Sequence, residues 1–332
     1  MEEEIISLGD DDDYSGSGAF YNITPISFNV RDVWAKYFGM TPVLDLTSNL
    51  ISGFFAVICI LGLVGNGRTI YLLAYSIKRN PFTTFILNLS IADFGVLTCF
   101  IIAAVVVAVL TLHGITHLSF AFFFLLLELF FFTYSASRLL LTAISLDRCV
   151  AVLFPHWHRS HRPPYFPTLL CLLTWNLSFF LSAVHFTLYQ TTNFRISLFF
   201  FQIIVNGLFC TPLMVVSTLT LWICMRSKSQ HNQGKLLTTI LLALLFFLLF
   251  SLPMDVFYVM KYFGSYNPLL MTVGIGCVAL NSSINPLLYF LVGRKKRGKD
   301  QPRASYKVAL QRVFKDEKDS PEDPKTMEED QL

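Results

Sequence analysis

The chain has 332 residues, of which 54% are apolar and only 14% are charged, whereas soluble domains carry about 25% charged residues. The 33 phenylalanines add to this apolar character, and the formal net charge is only +3. This composition excludes an ordinary soluble domain, because such a domain could not bury nearly uncharged runs of 20 or more residues repeated along its length.

Seven such runs follow one another, each long enough to cross the roughly 30 Å hydrocarbon core of a bilayer as a helix. In chain order they are residues 46–67 (continuing to about 77), 82–112, 118–144, 165–189, 196–225, 236–260 and 262–292. A β-barrel would need strands that alternate apolar and polar residues, whereas 120–127 and 240–250 are apolar throughout. The sequence therefore predicts an all-α membrane protein, a seven-transmembrane helix bundle.

Basic residues predict the orientation of the bundle. Thirteen Lys and Arg flank the spans on one side and four on the other, and the basic side is the cytoplasmic one. We expect an acidic extracellular N-terminal tail at 1–46, the seven-span domain at 47–292 and a cytoplasmic C-terminal tail at 293–332. The first twenty residues lack the apolar stretch of a signal peptide, so the first span should insert by itself.

Both tails carry interpretable segments. Asn22-Ile23-Thr24 is a glycosylation sequon in the outer tail, and Tyr14 follows four Asp, a setting that permits tyrosine sulfation. Beyond the basic cluster 294–299, apolar residues recur at helical spacing from about Ala304 to Phe314. This pattern predicts a short amphipathic helix on the anionic lipids of the inner leaflet. All seven cysteines lie in spans or at their cytoplasmic ends, so we expect no structural disulfide.

Polar residues inside the spans are costly and therefore informative. Asp93 lies mid-way along the second span, Asp147-Arg148-Cys149 closes the third, and proline breaks the fifth span at Pro212 and the sixth at Pro253. Asn66 follows Gly65 in the first span, and 285–289 (Asn-Pro-Leu-Leu-Tyr) ends the seventh. Together these features resemble the class A (rhodopsin-like) G-protein-coupled receptors over residues 47–292.

Further motifs are similar to the Mas-related receptors within that class. They are 78–83 (Lys-Arg-Asn-Pro-Phe-Thr), 141–145 (Leu-Thr-Ala-Ile-Ser), 161–163 (His-Arg-Pro), 211–214 (Thr-Pro-Leu-Met), 281–283 (Asn-Ser-Ser) and 313–317 (Val-Phe-Lys-Asp-Glu). As in that family, there is no cysteine near Phe123, and Ser251 replaces the usual tryptophan two residues before Pro253. Unlike many members, the chain has no cysteine and no acidic pair in 184–197, so ligand preference does not carry over.

The resemblance implies roles for individual residues. Asp147 and Arg148 would couple to the G protein, with Asp147 holding Arg148 at rest. Residues 226–239 contain no Asp or Glu that could add to this restraint, so basal signalling is expected. The activation switch would comprise Asn66, Asp93, Pro212, Ser251, Pro253, Asn285, Pro286 and Tyr289.

Oxygen and amide groups in the spans could hold an allosteric sodium ion, because hard oxygen ligands suit such cations. The candidate ligands are Asp93, Thr133, Ser137, Asn281 and Asn285. A network satisfied by water alone is the alternative. Arg138 would displace the cation if it reached Asp93, and Arg68 has no functional interpretation at this stage.

Ligand contacts are expected in the outer half of the bundle, from Phe130, Tyr134, His185, Asp255 and Tyr258. Asp255 needs a cation or a strong donor, which we expect to be a basic group of the ligand. The alternative partner is Arg195 or water at the outer rim.

The sequence therefore predicts a plasma-membrane receptor, not an enzyme, for an extracellular peptide or small basic amphiphile. The resemblance implies heterotrimeric G proteins of the Gq or Gi type and arrestin as partners; membrane lipids surround the protein, and no nucleic acid is expected. A polytopic transporter or channel is the alternative, but no internal symmetry supports it. Neither H-E-x-x-H nor G-x-S-x-G, which would indicate an enzyme, occurs.

Overall fold

A computed structural model describes residues 27–29, 46–112, 117–161, 163, 165–191, 203–227, 234–262, 268–293 and 305–314. Within them the helices are α1 (Leu46–Tyr75), α2 (Pro81–Leu112), α3 (Phe120–Leu153), α4 (Pro155–His161), α5 (Phe166–Thr191), α6 (Thr211–Ser227), α7 (Gly234–Tyr262), α8 (Pro268–Gly293) and α9 (Tyr306–Phe314). Seven of these, all except α4 and α9, are long and apolar enough to cross a membrane. The predicted seven-helix architecture is confirmed.

The first to seventh spans are thus α1, α2, α3, α5, α6, α7 and α8, and their limits differ from the predicted runs at several ends. The third helix continues beyond residue 144 to Leu153, so the Asp-Arg-Cys motif lies inside it. A short helix that the sequence did not predict, α4, begins at Pro155, because proline has the backbone angle that a first helical position requires. Tyr262 ends the sixth span and does not begin the seventh.

The expectation that Pro253 breaks the sixth span is wrong, because α7 runs through it as α8 runs through Pro286. Neighbouring helices in a membrane bundle can satisfy the backbone groups that proline leaves unpaired. Pro212 does coincide with a change of geometry. A π-helical stretch, Ile203–Cys210, precedes α6, which begins at Thr211. Proline has no backbone N–H to donate to the preceding turn, and the wider π turn before it is compatible with that missing hydrogen bond.

Small and polar residues bring the first and seventh spans together. A side chain on Gly62 would collide with Ser283 and Leu97, so the absence of one permits the close approach. Asn66 Nδ2 donates to the backbone carbonyl of Ser282 at 2.9 Å across the same interface. Buried Asn66 therefore fixes the position of one span against the other.

Two short strands pair antiparallel, Ser27–Asn29 with His117–Ser119, so that part of the N-terminal tail contacts the segment before the third span. At the opposite end of the bundle, α9 buries Ala309, Leu310 and Val313, on the apolar face that the sequence predicts. The short cytoplasmic helix is confirmed.

Candidate functional site

Polar side chains cluster at several levels of the described bundle, and the first cluster lies at the C-terminal end of the third span. Asp147 Oδ2 accepts hydrogen bonds from Arg148 Nε at 3.0 Å and Arg148 Nη2 at 2.5 Å. His158 of α4 places Nε2 3.5 Å from the other carboxylate oxygen. The Arg148 guanidinium also lies 5.2 Å from the ring centroid of Phe82. Asp147 therefore holds Arg148 along its own helix, as the resemblance implies.

His158 was not among the residues singled out from the sequence. The only signal was a histidine in a loop rich in histidine and arginine, and nothing in that pattern indicated which residue it would meet. The short helix α4 brings it to Asp147, because that helix begins two residues after the third span ends. A protonated His158 would share the carboxylate with Arg148.

The second cluster surrounds Asp93 in the middle of the bundle. Ser137 Oγ donates to Asp93 Oδ1 at 2.7 Å, and Asn285 Nδ2 donates to Asp93 Oδ2 at 2.8 Å. Asp93 is fully buried, and its two partners are almost so. The second, third and seventh spans thus meet at one carboxylate, as the predicted sodium set requires.

The remaining members of that set lie differently. Thr133 Oγ1 donates to the carbonyl oxygens of Leu129 at 2.9 Å and Phe130 at 3.1 Å in its own helix, and its methyl group faces Gly95. Asn281 is buried, with no hydrogen bond to Asp93 among those of the described residues. Two of the four predicted neighbours therefore contact the carboxylate directly.

The third cluster corrects the predicted surroundings of Arg138 and Asp255. Arg138 does not reach Asp93. Its Nη1 and Nη2 donate to the two carboxylate oxygens of Asp255, each at 2.7 Å. Among the described residues, the ion-pair partner of Asp255 is accordingly an arginine of the third span; Arg195, the alternative predicted from the sequence, lies outside them.

Sequence reasoning had identified both charges without pairing them. The signal in the sequence was the presence of two opposite charges, Arg138 and Asp255, in spans that are otherwise nearly uncharged. Such charges are expected to pair, and this expectation was not drawn. The third span can present Arg138 toward the fifth and sixth spans because it is the most deeply buried of the seven, and therefore contacts several others.

Further contacts extend this third cluster across three spans. Arg138 also donates to Tyr134 Oη at 3.1 Å and to Thr211 Oγ1 at 3.0 Å. Tyr134 Oη lies 3.4 Å from Ser251 Oγ. Ser251 occupies the position at which class A receptors usually carry tryptophan. Ser251, which the resemblance assigns to the activation switch, is thereby linked to the third span.

The predicted ligand residues lie above this cluster or within it. Phe130 stacks on Tyr134 with ring centroids 5.6 Å apart. His185 Nδ1 forms a short hydrogen bond with Glu128, a residue that the sequence gave less weight. Tyr258 is in α7, but its side chain lies outside the described residues. Asn22 and Tyr14 also lie outside them.

Arg68 gains a physical explanation. Its guanidinium lies 5.7 Å from the ring centroid of Tyr306 in α9, and the Tyr306 hydroxyl forms a 2.6 Å hydrogen bond with Thr69 Oγ1. Tyr306 also donates to the Pro286 carbonyl at 3.4 Å. Burial raises the pKa of the Tyr306 phenol above its ordinary value. These contacts attach the cytoplasmic helix to the first and seventh spans.

Residues 65–289 match the family model "7 transmembrane receptor (rhodopsin family)". The chain belongs to the rhodopsin-like G-protein-coupled receptors. Within that class it falls among the Mas-related receptors. The Proto-oncogene Mas of Rattus norvegicus is 35% identical over 270 residues, which cover 77% of this chain and 81% of the relative. The Mas-related G-protein coupled receptor member H of Rattus norvegicus is 36% identical over 280 residues, with coverage of 78% and 82%. Member D of Homo sapiens is 31% identical over 273 residues, with coverage of 78% and 83%.

This membership confirms the resemblance drawn from the motifs and the prediction of a G-protein-coupled receptor. It gives no support to the alternative of a transporter or channel. As a Mas-related receptor the chain is a multi-pass protein of the plasma membrane, and its family consists of receptors, which are not enzymes.

Proposed function

We propose that an extracellular ligand, bound in the outer half of the bundle, activates a heterotrimeric G protein through Arg148 at the cytoplasmic face. The observation that carries this proposal is the Asp147–Arg148 pair. The carboxylate is buried, with 2% of its side chain exposed, whereas the guanidinium is 14% exposed. Arg148 can therefore leave its partner for a G protein that enters from the cytoplasm, while Asp147 remains in place.

The proposed orientation has the N-terminus outside the cell and the C-terminus inside. Thirteen Lys and Arg flank the spans on the side that carries Arg148 and only four flank them on the other side, which supports this orientation. The same asymmetry supports contact between the basic segments near α9 and anionic inner-leaflet lipids.

For the ligand we propose a peptide or a small basic amphiphile. The acidic N-terminal tail would attract a cation, and the stacked rings of Phe130 and Tyr134 offer an apolar contact surface. A basic group of the ligand would compete with Arg138 for Asp255, whose side chain is 14% exposed. The ligand would therefore gain little from Asp255 unless it displaced Arg138.

For the cytoplasmic partners we propose G proteins of the Gq or Gi type, with arrestin binding the active receptor afterwards. We also propose that the Asp93 cluster binds an allosteric sodium ion. A fully buried carboxylate that forms no ion pair with a described Lys or Arg supports this assignment, because such a charge requires compensation.

Arg148→Ala tests the coupling proposal. In cells that express wild type and variant at equal surface density, calcium and cyclic-AMP reporters would record basal output and the response to a library of basic peptides and amphiphiles. We expect the variant to lose both signals and to keep its surface expression, because Arg148 faces the cytoplasmic cleft.

Arg68→Ala is the matched control, since Arg68 is another guanidinium within a span and contacts Tyr306 rather than the coupling motif. It should retain most of the response. A full response from Arg148→Ala would show that coupling does not pass through this residue.

A further inference from the structure

Five side chains form one polar cluster in the core of the bundle, which we call the core bridge: Tyr134, Arg138, Thr211, Ser251 and Asp255. Arg138 is at its centre and donates through both terminal nitrogens to Tyr134 in its own span, to Thr211 in the fifth and to Asp255 in the sixth, at 2.7 to 3.1 Å. Tyr134 and Ser251 add a link of 3.4 Å. The bridge joins the third, fifth and sixth spans.

The geometry of the bridge tolerates little movement. Both oxygens of Asp255 face the planar fork of Arg138, and such bidentate pairing constrains direction as well as distance. The rings of Tyr134 and Phe247 lie 5.4 Å and 5.3 Å from the guanidinium, and only 1% of the Arg138 side chain is exposed. Separating the pair would leave a buried charge without compensation, which is strongly unfavourable.

The bridge lies where the sixth span contains proline. Asp255 follows Pro253 by two residues and Ser251 precedes it by two, so both contacts with the third span flank that position. A rotation or tilt of the sixth span about Pro253 would therefore change the Arg138–Asp255 and Tyr134–Ser251 distances together.

The cytoplasmic end of the sixth span offers no equivalent restraint. Residues 226–239 contain no Asp or Glu, and the carboxylate that binds Arg148 belongs to the same helix as Arg148. An ionic link between the third and sixth spans is thus available at the core bridge and not from an acid at the foot of the sixth span.

We propose that the core bridge is the resting restraint of this receptor: the Arg138–Asp255 pair holds the sixth span against the third, and activation requires the pair to separate. The proposal rests on the function proposed above, because it assumes that movement of the sixth span exposes Arg148 to the G protein. Arg138 and Asp255 act here as positioning residues.

The test replaces both charges with apolar side chains, Arg138→Leu together with Asp255→Leu. The double change leaves no buried charge unpaired, so the protein should reach the cell surface even where either single variant fails. We expect basal G-protein activation, corrected for surface density, to rise at least fivefold, which corresponds to about 1 kcal/mol at 1.4 kcal/mol per factor of ten.

A matched control removes a different interhelical polar contact. Trp175 Nε1 donates to Asn88 Oδ1 at 3.0 Å between the fourth and second spans. Asn88→Leu with Trp175→Phe should leave basal output unchanged, because the hydrogen bond that it removes joins the fourth span to the second and not to the sixth. An equal rise in both double variants would overturn the proposal, since it would reflect general loosening of the bundle.

Hydrogen exchange of purified receptor in detergent gives a readout that does not depend on a G protein. We expect faster exchange in residues 234–247 of the core-bridge variant. Faster exchange without G-protein activation would refute the proposed coupling but uphold the restraint. Unchanged exchange and unchanged basal output, in a variant that still signals through Arg148 when agonist is added, would refute the restraint alone.

Discussion

Replacing Asp93 by asparagine tests whether the buried carboxylate cluster binds sodium. The cluster already supplies two donors to Asp93, from Ser137 at 2.7 Å and Asn285 at 2.8 Å. Arg138 pairs with Asp255 and leaves Asp93 available for a cation. Asparagine keeps the shape of the side chain but removes the charge, so it should abolish sodium binding while it preserves most of the packing.

The expected size of the effect follows from mass action. At a sodium concentration ten times the dissociation constant, a site that exists only in the folded protein adds RT ln 11, about 1.4 kcal/mol, to its stability. For a chain of this size that gain corresponds to a rise of roughly 2 °C in the unfolding midpoint. The same free energy would favour the resting state and lower agonist affinity by up to about tenfold.

The assay compares unfolding midpoints of purified receptor in sodium chloride and in potassium chloride of equal ionic strength. Wild type should be more stable in sodium, and Asp93→Asn should be equally stable in both salts. Asn88→Leu with Trp175→Phe is the control, because it removes an interhelical hydrogen bond away from Asp93 and should keep the sodium response. If the wild-type protein shows no difference between the salts, the cluster contains water alone and the cation assignment is wrong.

Two further predictions concern the cytoplasmic side. Gln233→Glu places a carboxylate just before the sixth span. A partly exposed ion pair between this carboxylate and Arg148, of about 1 kcal/mol or less, should reduce basal signalling. Unchanged output at equal surface density would contradict the hypothesis that basal signalling arises from the lack of an acid there. Tyr306→Phe removes the 2.6 Å hydrogen bond to Thr69 and should cost about 1 kcal/mol, visible as faster hydrogen exchange in α9. Because the folded pKa of Tyr306 is raised above the unfolded value of about 10, this stabilisation is complete below that pH and is lost only as pH rises through the folded pKa. A wild-type protection factor of α9, corrected for the intrinsic pH dependence of amide exchange, that already changes near neutral pH would therefore argue against it.

Local chemistry determined the architecture and the family. Hydrocarbon admits only backbones that satisfy their own hydrogen bonds, so seven nearly uncharged runs had to become seven helices, whatever their contacts. The short helix α9 followed for a similar reason, since the spacing of Ala309, Leu310 and Val313 exposes one apolar face in any helix. The Asp147–Arg148 pair followed from the resemblance to class A receptors, which implies that the acid holds the arginine at rest.

Only the tertiary structure decided which distant charges pair. Arg138 and Asp255 are separated by 117 residues, and the sequence allowed Arg138 to reach Asp93 as readily as Asp255. The choice depends on how the third, fifth and sixth spans are rotated about their axes. That rotation depends on packing contacts spread over whole helices, such as those of Gly95 against Thr133 in the third span and of Gly274 against Met254 in the sixth. The same reason explains why His158 was missed: its contact with Asp147 depends on the direction in which α4 leaves the end of the third span.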